Sequence, residues 1–571
     1  MRKRLNYLTV SRFTLTSMFF LVGLLFFLMT NLTAGEIEPN FAEYLKTLAP
    51  DEFVSALVIM ADQADIKSLN AVLKAERATM KVRHQRVLSA LQTAASRSQG
   101  DIVAYLEAKK EEGSVKGHTP YWIMNLIVVQ ATREELERIA ARADVDIVEA
   151  NFKVSLIEPE RDKTKSVRIP DKGIGVTPGL KAIKADSVWH LLGITGKGRL
   201  VANLDTGVDG FHTALTNRWR GNHAPWQECW RDALGNGTTY PVDNYGHGTH
   251  VMGTMCGLGA VTGDTIGVAW EAEWIADNAI DQWTGPEFDN DVLDAFQWFA
   301  DPDSNPSTTD DVPDVVQNSW GIDHRFSGYV DCDYRWQDVI ENCEAAGVVC
   351  IFSAGNEGPG SATHRSPANI CNTPTTNFSV GAVDATNYDF PYPIANFSSR
   401  GPSDCEGKDK KPEVVAPGVQ VYSSVPGGGY EQYGWDGTSM AGPHVAGVVA
   451  LMRQANPDLD VDSVKQILMN TAVDLGDSGE DNAYGWGIID AYQAVLAAQQ
   501  SGYVAGDANG DGLVTVSDVV YLINYLYRGD PPPDPLAAGD PNADCVVDVA
   551  DVVYLINYLF KGGPPPQLGC A

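Results

Sequence analysis

The sequence has no Cys-x-x-Cys pair, no long compositionally biased tract and, beyond its first third, little positive charge. It also lacks a bilayer-spanning run: a spanning helix needs about 20 apolar residues, and the N-terminal run Met18–Met29 has 12. Without paired cysteines at metal-ligand spacing, a structural zinc site is not expected. No cysteine stands directly after the apolar run, so nothing supports a lipidated N-terminus. Lys and Arg number 24 against 22 Asp and Glu in residues 1–172, leaving 18 against 52 for residues 173–571. So acidic a surface favours solubility and cation binding and argues against nucleic acid as a partner.

What the N-terminus does have reads as an export signal. Arg2, Lys3, Arg4 and Arg12 precede the apolar run, and the small residues Thr33, Ala34 and Gly35 follow it. The expectation is a signal peptide over residues 1–35 and a secreted, extracellular chain with no stable membrane span after cleavage. Export permits disulfides, but the nine cysteines are an odd number, so at least one thiol has no intrachain mate. Cys350, inside the apolar run Val348–Phe352, reads as a buried core thiol.

The rest divides into three parts. Residues 36–172 alternate β-rich and helical stretches: Phe53–Ala61, Ile66–Leu106, Tyr121–Gln130, Arg133–Arg142 and Val145–Val154. That order predicts a small α/β domain, closed by the charge-dense linker Glu158–Lys172. Residues 173–498 carry candidate strands at Leu200–Asp205, Trp274–Ala279, Val315–Asn318, Val348–Ser353 and Ser379–Val383. Candidate helices start near Gly248, Asp291, Asp333, Thr438 and Val461. Short apolar strands separated by helices predict an α/β fold with a parallel sheet covered on both faces. Its strand ends are where such folds place their chemistry. After a linker at 499–505, residues 506–571 hold a direct repeat in which Asp507–Pro533 matches Asp540–Pro566.

A serine hydroxyl becomes a nucleophile when an imidazole takes its proton and a carboxylate orients that imidazole. Asp205 ends an apolar strand, His247 sits in Gly246-His247-Gly248-Thr249-His250, and Ser439 sits in Gly437-Thr438-Ser439-Met440-Ala441-Gly442-Pro443-His444. Singly, each reads as a turn, structural or cap residue. Together, and in that order, they resemble the subtilisin-like serine proteases, as does Lys411-Pro412-Glu413-Val414-Val415-Ala416-Pro417-Gly418. Val316–Gly321, Ser424–Tyr430 and Asp436–Ser439 resemble the bacillopeptidase F branch of that family.

The resemblance implies a subtilisin-like fold and a secreted endopeptidase acting on protein or peptide substrates through Asp205, His247 and Ser439. It also implies that Asn356, in Phe352-Ser353-Ala354-Gly355-Asn356, gives its side-chain amide to the oxyanion beside the backbone N–H of Ser439. Ser319, Trp320 and Gly321 would pair with the substrate backbone, and Ser353, Ala354 and Gly355 would wall the S1 pocket. By the same resemblance residues 36–172 are an inhibitory propeptide. Gly442 departs from the alanine common in the family. The competing reading is an inactive secreted adhesion or binding protein on the same scaffold, and it predicts a missing catalytic group, whereas all four are present.

In the repeat, Asp507, Asn509, Asp511 and Asp518 have the oxygen-ligand spacing of a calcium loop. Asp540, Asn542, Asp544, Asp548 and Asp551 repeat it, with Cys545 where the turn glycine belongs. A loop followed by one helix, twice over, resembles a dockerin module, a small helical unit that implies bound Ca2+ and a cohesin-like partner. The stripe Val519, Leu522, Ile523 and Leu526 suits a docking face or internal core equally. Cys545 and Cys570, alone in the module, are candidates for one disulfide.

Overall fold

The computed structural model describes residues 35–151, 154–160, 175–259, 265–280, 290–322, 332, 334–407, 410–500, 505–510, 513–533 and 536–567. The expected signal peptide lies outside the described residues. Among the described ones no helix is long and apolar enough to cross a membrane.

The chain forms two compact units. The first comprises described residues up to Asp62, then Ser98–Pro120 and Leu126–Asn151. Its sheet has strands in the order Glu36–Ile37, Val145–Ala150, Phe53–Met60, Leu126–Thr132 and Val115–Tyr121. Alternate residues of Phe53–Met60 and Leu126–Thr132 (Ala56, Val58, Met60; Ile127, Val129, Ala131) face one core with Ile102, Leu106, Leu136 and Ile139 of the helices. The single β-rich stretch expected at Tyr121–Gln130 is instead two strands joined by a turn. Gln63 pins that turn through both its side-chain groups, bonding the Asn125 carbonyl at 2.8 Å and its N–H at 3.2 Å. A contact 62 residues distant in sequence is invisible to local periodicity.

The second unit comprises Gln63–Arg97, Tyr121–Asn125 and the chain from residue 152 onward. Its sheet has seven strands in the order Val414–Pro417, Ser379–Val383, Val349–Ser353, Val315–Asn318, Leu200–Leu204, Glu273–Asp277 and Trp230–Arg231. Every pairing is parallel. The five expected strands are present, each within two residues of its expected bounds. The two edge strands, Val414–Pro417 and Trp230–Arg231, and the helix Ala491–Gln500 are additions. Pro412 and Pro417 confine the first of these strands to four residues. The buried ion pair of Lys411 with Glu413, 2.8 Å apart, holds it in place. Helices begin at His247, Asp291, Thr438 and Val461, and at Gln337 rather than near Asp333, after a 3-10 turn at Tyr334–Trp336.

Thr438–Ala455 is buried from Thr438 to Arg453. A helix apolar all round belongs in a core, and its Ala and Gly residues let neighbouring elements approach closely. Cys332 and Cys405 form a disulfide, and Cys350 is a buried free thiol, as its apolar surroundings predict.

Candidate active site

Asp205 follows the inner strand Leu200–Leu204 and is fully buried. Its carboxylate accepts from the N–H of Thr206 at 2.8 Å and meets Nδ1 of His247 at 2.7 Å. His247 is the first residue of the helix His247–Cys256, entered through Gly246 at φ 100°, a left-handed backbone that favours glycine. With Nδ1–H committed to Asp205, Nε2 is the basic nitrogen. It is buried without a hydrogen-bond partner. The ring of Trp435 lies 6.3 Å from the imidazole.

Ser439 is the second residue of its helix, fully buried. Asn356 lies beyond the strand Val349–Ser353, after Gly355 at φ 114°. Its Oδ1 accepts from the N–H of Thr438 at 2.9 Å and from the Thr438 hydroxyl at 3.0 Å. Two donors on one atom identify that atom as oxygen. The Asn356 Nδ2 is thereby turned away from Thr438 and donates to the carbonyl of Glu158 at 2.7 Å.

That carbonyl belongs to a segment of the chain lying as a strand in this cleft. Ser155–Leu156 pairs antiparallel with Trp320–Gly321, and the Ile157 N–H donates to the Ser319 carbonyl at 2.9 Å. The Ser439 hydroxyl donates to the Ile157 carbonyl at 2.9 Å, and the Glu160 N–H donates to the Asp436 carbonyl at 2.7 Å. Leu156 and Ile157 are 3% and 1% exposed, and burying such side chains contributes about 1.5–3 kcal/mol each. The Ser439 hydroxyl and the Asn356 amide therefore engage successive carbonyls, not one.

Of the residues expected to bind substrate, Ser319, Trp320 and Gly321 touch this segment through their backbone. The Ser319 and Ser353 hydroxyls are instead buried beneath it, 3.2 Å apart. Gln317 Nε2 donates to both, at 3.1 and 3.0 Å, and the Ser353 hydroxyl donates to the Thr438 carbonyl. Ala354 is fully buried, and the Gly355 N–H donates to the Thr438 hydroxyl at 3.1 Å. Gln317 also explains Gly442: a Cβ there would stand 2.4 Å from the Gln317 amide, which its hydrogen bonds hold in place.

In the repeat, the helices Val516–Arg528 and Val549–Lys561 each start with a capping box, Thr515 with Asp518 and Asp548 with Asp551. Val519 and Leu522 form a core with Ala508, Val552 and Leu555, and Ile523 and Leu526 pack against it. The stripe is thus internal. A different face, with Leu513, Val516, Val520 and Tyr527 in one copy and Val546, Val549, Val553 and Phe560 in the other, is exposed.

Asp507, Asp518, Asp540 and Asp551 are all buried, and buried charge requires a counter-charge. Asp518 accepts from the N–H of Asn509 and of Thr515, and Asp540 from those of Asp544 and Cys545. Asn542 Oδ1 accepts from the Asp544 N–H, and Asp544 Oδ1 from that of Val546. Asp548 caps its helix through the Ala550 N–H. Asp551 Oδ1 has no hydrogen-bond partner. Burial, with Asp540 and Asp544 adding to it, pushes the Asp551 carboxyl up to about 6. Crowded buried carboxylates with an orphaned oxygen are the donor set a hard cation fits. Among the described residues no three His, Cys, Asp or Glu are already arranged to hold one, and Asp511 lies outside them. Cys545 has φ 67°, the left-handed turn that glycine would make without strain. It is disulfide-bonded, while Cys570 lies outside the described residues.

Residues 196–487 match the subtilase family model and residues 505–560 the dockerin type I domain. The chain is 36% identical over 477 residues to bacillopeptidase F of Bacillus subtilis (strain 168), covering 79% of this chain and 31% of that protein. To M-protease of Shouchella clausii (strain KSM-K16) it is 31% identical over 351 residues, covering 62% and 76%. Fervidolysin from Fervidobacterium pennivorans, a keratinolytic enzyme related to subtilisin, shares the fold with a TM-score of 0.51 and 22% identity, over 78% of this chain and 61% of that one. With the family match spanning just over half its length, the chain belongs to the subtilase family and carries a dockerin type I domain.

Proposed function

We propose that this chain is a secreted serine endopeptidase made as a zymogen, with Asp205, His247 and Ser439 as its triad. In this reading His247 Nε2 takes the Ser439 proton as Oγ attacks a substrate carbonyl carbon. Asp205 holds the ring's tautomer and stabilises the imidazolium. The Asn356 amide and the Ser439 N–H meet the oxyanion. The imidazolium then protonates the leaving amine, and water, activated by the same histidine, hydrolyses the acyl-enzyme.

The observation that carries the proposal is the segment Ser155–Glu160. It runs where an extended substrate would add as a strand, and it takes up both the Ser439 hydroxyl and the Asn356 amide. A zymogen held by its own chain accounts for this, and residues 36–172 are the inhibitory region in that account. The test is Ser439→Ala. The variant should neither process itself nor react with a fluorophosphonate, while the wild type does both. Processing of the purified variant with no other protease present would refute the triad.

The dockerin domain supports a calcium-dependent tether. Asp507, Asn509, Asp511 and Asp518, and Asp540, Asn542, Asp544, Asp548 and Asp551, would hold Ca2+, which when bound neutralises the loop carboxylates. The duplicated exposed apolar face fits a cohesin-like partner, and such a tether places the protease at an extracellular scaffold or surface.

A further inference from the structure

We infer that Asp243 is a positioning residue that sets the place of the His247 imidazole against Asp205. The inference deepens the proposed function and rests on its assignment of His247.

Gly246, the residue that opens the His247–Cys256 helix, has no side chain to cap it. Its left-handed backbone requires glycine, so the usual Ser, Thr, Asp or Asn cap cannot stand there without strain. The first turn of that helix nevertheless has N–H groups to satisfy, and Asp243, four residues before His247, reaches back to do so. Its Oδ2 accepts from the Thr249 N–H at 2.9 Å and from the Thr249 hydroxyl at 2.6 Å. Its Oδ1 accepts from the N–H groups of Gly246 at 2.7 Å and Tyr245 at 3.0 Å, and from the Thr206 hydroxyl at 3.0 Å.

These five bonds join the two halves of the Asp205–His247 pair. Thr206 is the neighbour of Asp205, and its hydroxyl also accepts from the Gly248 N–H at 3.0 Å. Gly246 and Gly248 flank His247 on either side. The Thr249 hydroxyl in turn accepts from the Asp209 N–H at 2.9 Å. A buried carboxylate thus ties the strand end that carries Asp205 to the helix start that carries His247. Its negative charge also suits a helix N-terminus.

Both carboxylate oxygens accept from backbone N–H groups, which cannot rotate to become acceptors. An amide is therefore a poor substitute despite its shape: either orientation of asparagine sets an NH2 against an N–H. Asp243→Asn changes no volume and should shift the histidine instead of emptying a cavity.

The test compares wild type with Asp243→Asn and with the milder Thr249→Val, which removes one of the five donors. A misplaced catalytic group costs up to about 100-fold. The expected results are a kcat 10- to 100-fold lower for Asp243→Asn, a smaller fall for Thr249→Val, and KM within about twofold of wild type in both. The second readout is the low-field imidazole Nδ1 proton resonance, recorded in the Ser439→Ala background so that it is independent of activity. It should move or vanish in Asp243→Asn and move less in Thr249→Val. Were the proposed catalysis wrong, Ser439→Ala would keep its activity while this resonance still reported the position of the ring. An unmoved resonance, or a kcat at the wild-type level in folded Asp243→Asn, overturns the inference. Should Asp243→Asn fail to fold, an unmoved resonance in Thr249→Val overturns it equally.

Discussion

His444, in the same helix as Ser439, has no part in the proposed chemistry, and its surroundings account for its presence. Its Nδ1–H donates to the Met440 carbonyl at 2.9 Å, one turn back in the helix. The opposite side of the ring faces Gly179, where a Cβ would come within 2.8 Å of Nε2. Burial lowers its pKa to about 4. A histidine whose pKa falls on folding stabilises the fold fully above about pH 6.5, and that contribution is lost as pH falls toward 4. The full loss is about 3 kcal/mol. His444→Asn keeps a donor for Met440 without the titration. The variant should therefore lose less stability than the wild type between pH 6.5 and 4, as measured by denaturant unfolding at each pH. Equal slopes would show that His444 is not buried neutral. Residue-scale legibility was uneven. Asp205, His247, Ser439 and Asn356 stood out by their glycine-flanked motifs. Asp243 had only the ordinary signal of an Asp-Asn turn, and Gln317 looked like one more strand residue.

At the scale of elements, short buried strands and the helices after them were legible because apolar runs bounded by glycine and proline have few other uses. The segment Ser155–Glu160 was not. Its Ser-Leu-Ile-Glu-Pro-Glu composition has no strand periodicity, and it becomes a strand only by pairing with Trp320–Gly321. Its register makes a prediction about maturation. The carbonyl touched by Ser439 is that of Ile157, so self-cleavage should fall between Ile157 and Glu158. The following bond, Glu158–Pro159, is an imide whose nitrogen carries no N–H and is crowded by the ring, and it should survive. Because Asn356 holds the Glu158 carbonyl instead, its amide must release that carbonyl and take up the one of Ile157 before reaction. Processing is accordingly expected to be slow. N-terminal sequencing of the processed chain checks this, and any start other than Glu158 would refute the register.

For the molecule as a whole, the lopsided charge has its sharpest expression in the dockerin repeat, where four buried carboxylates sit in a module of two helices and a small core. At that size a metal or disulfide is commonly needed to offset chain entropy. Residues 503–571 should be largely unfolded with chelator and helical in millimolar calcium by circular dichroism. Asp507→Ala with Asp540→Ala should reproduce the chelated state. Equal helicity with and without calcium would leave the core and the Cys545 disulfide to hold the module unaided.

The family, the parallel sheet, the four candidate catalytic groups and the duplicated loops were written in the sequence, because each rests on local chemistry: a residue type at a strand end, a turn or a loop position. Tertiary structure alone decided that the chain's own Ile157 meets Ser439, that Gln317 fills the space beside Gly442, and that Asp243, beside the His247 helix, reaches Thr206 at the strand end that carries Asp205. Each of these joins residues separated along the chain through a distance or a vacancy, and no local pattern encodes a distance between elements that meet only when the core closes.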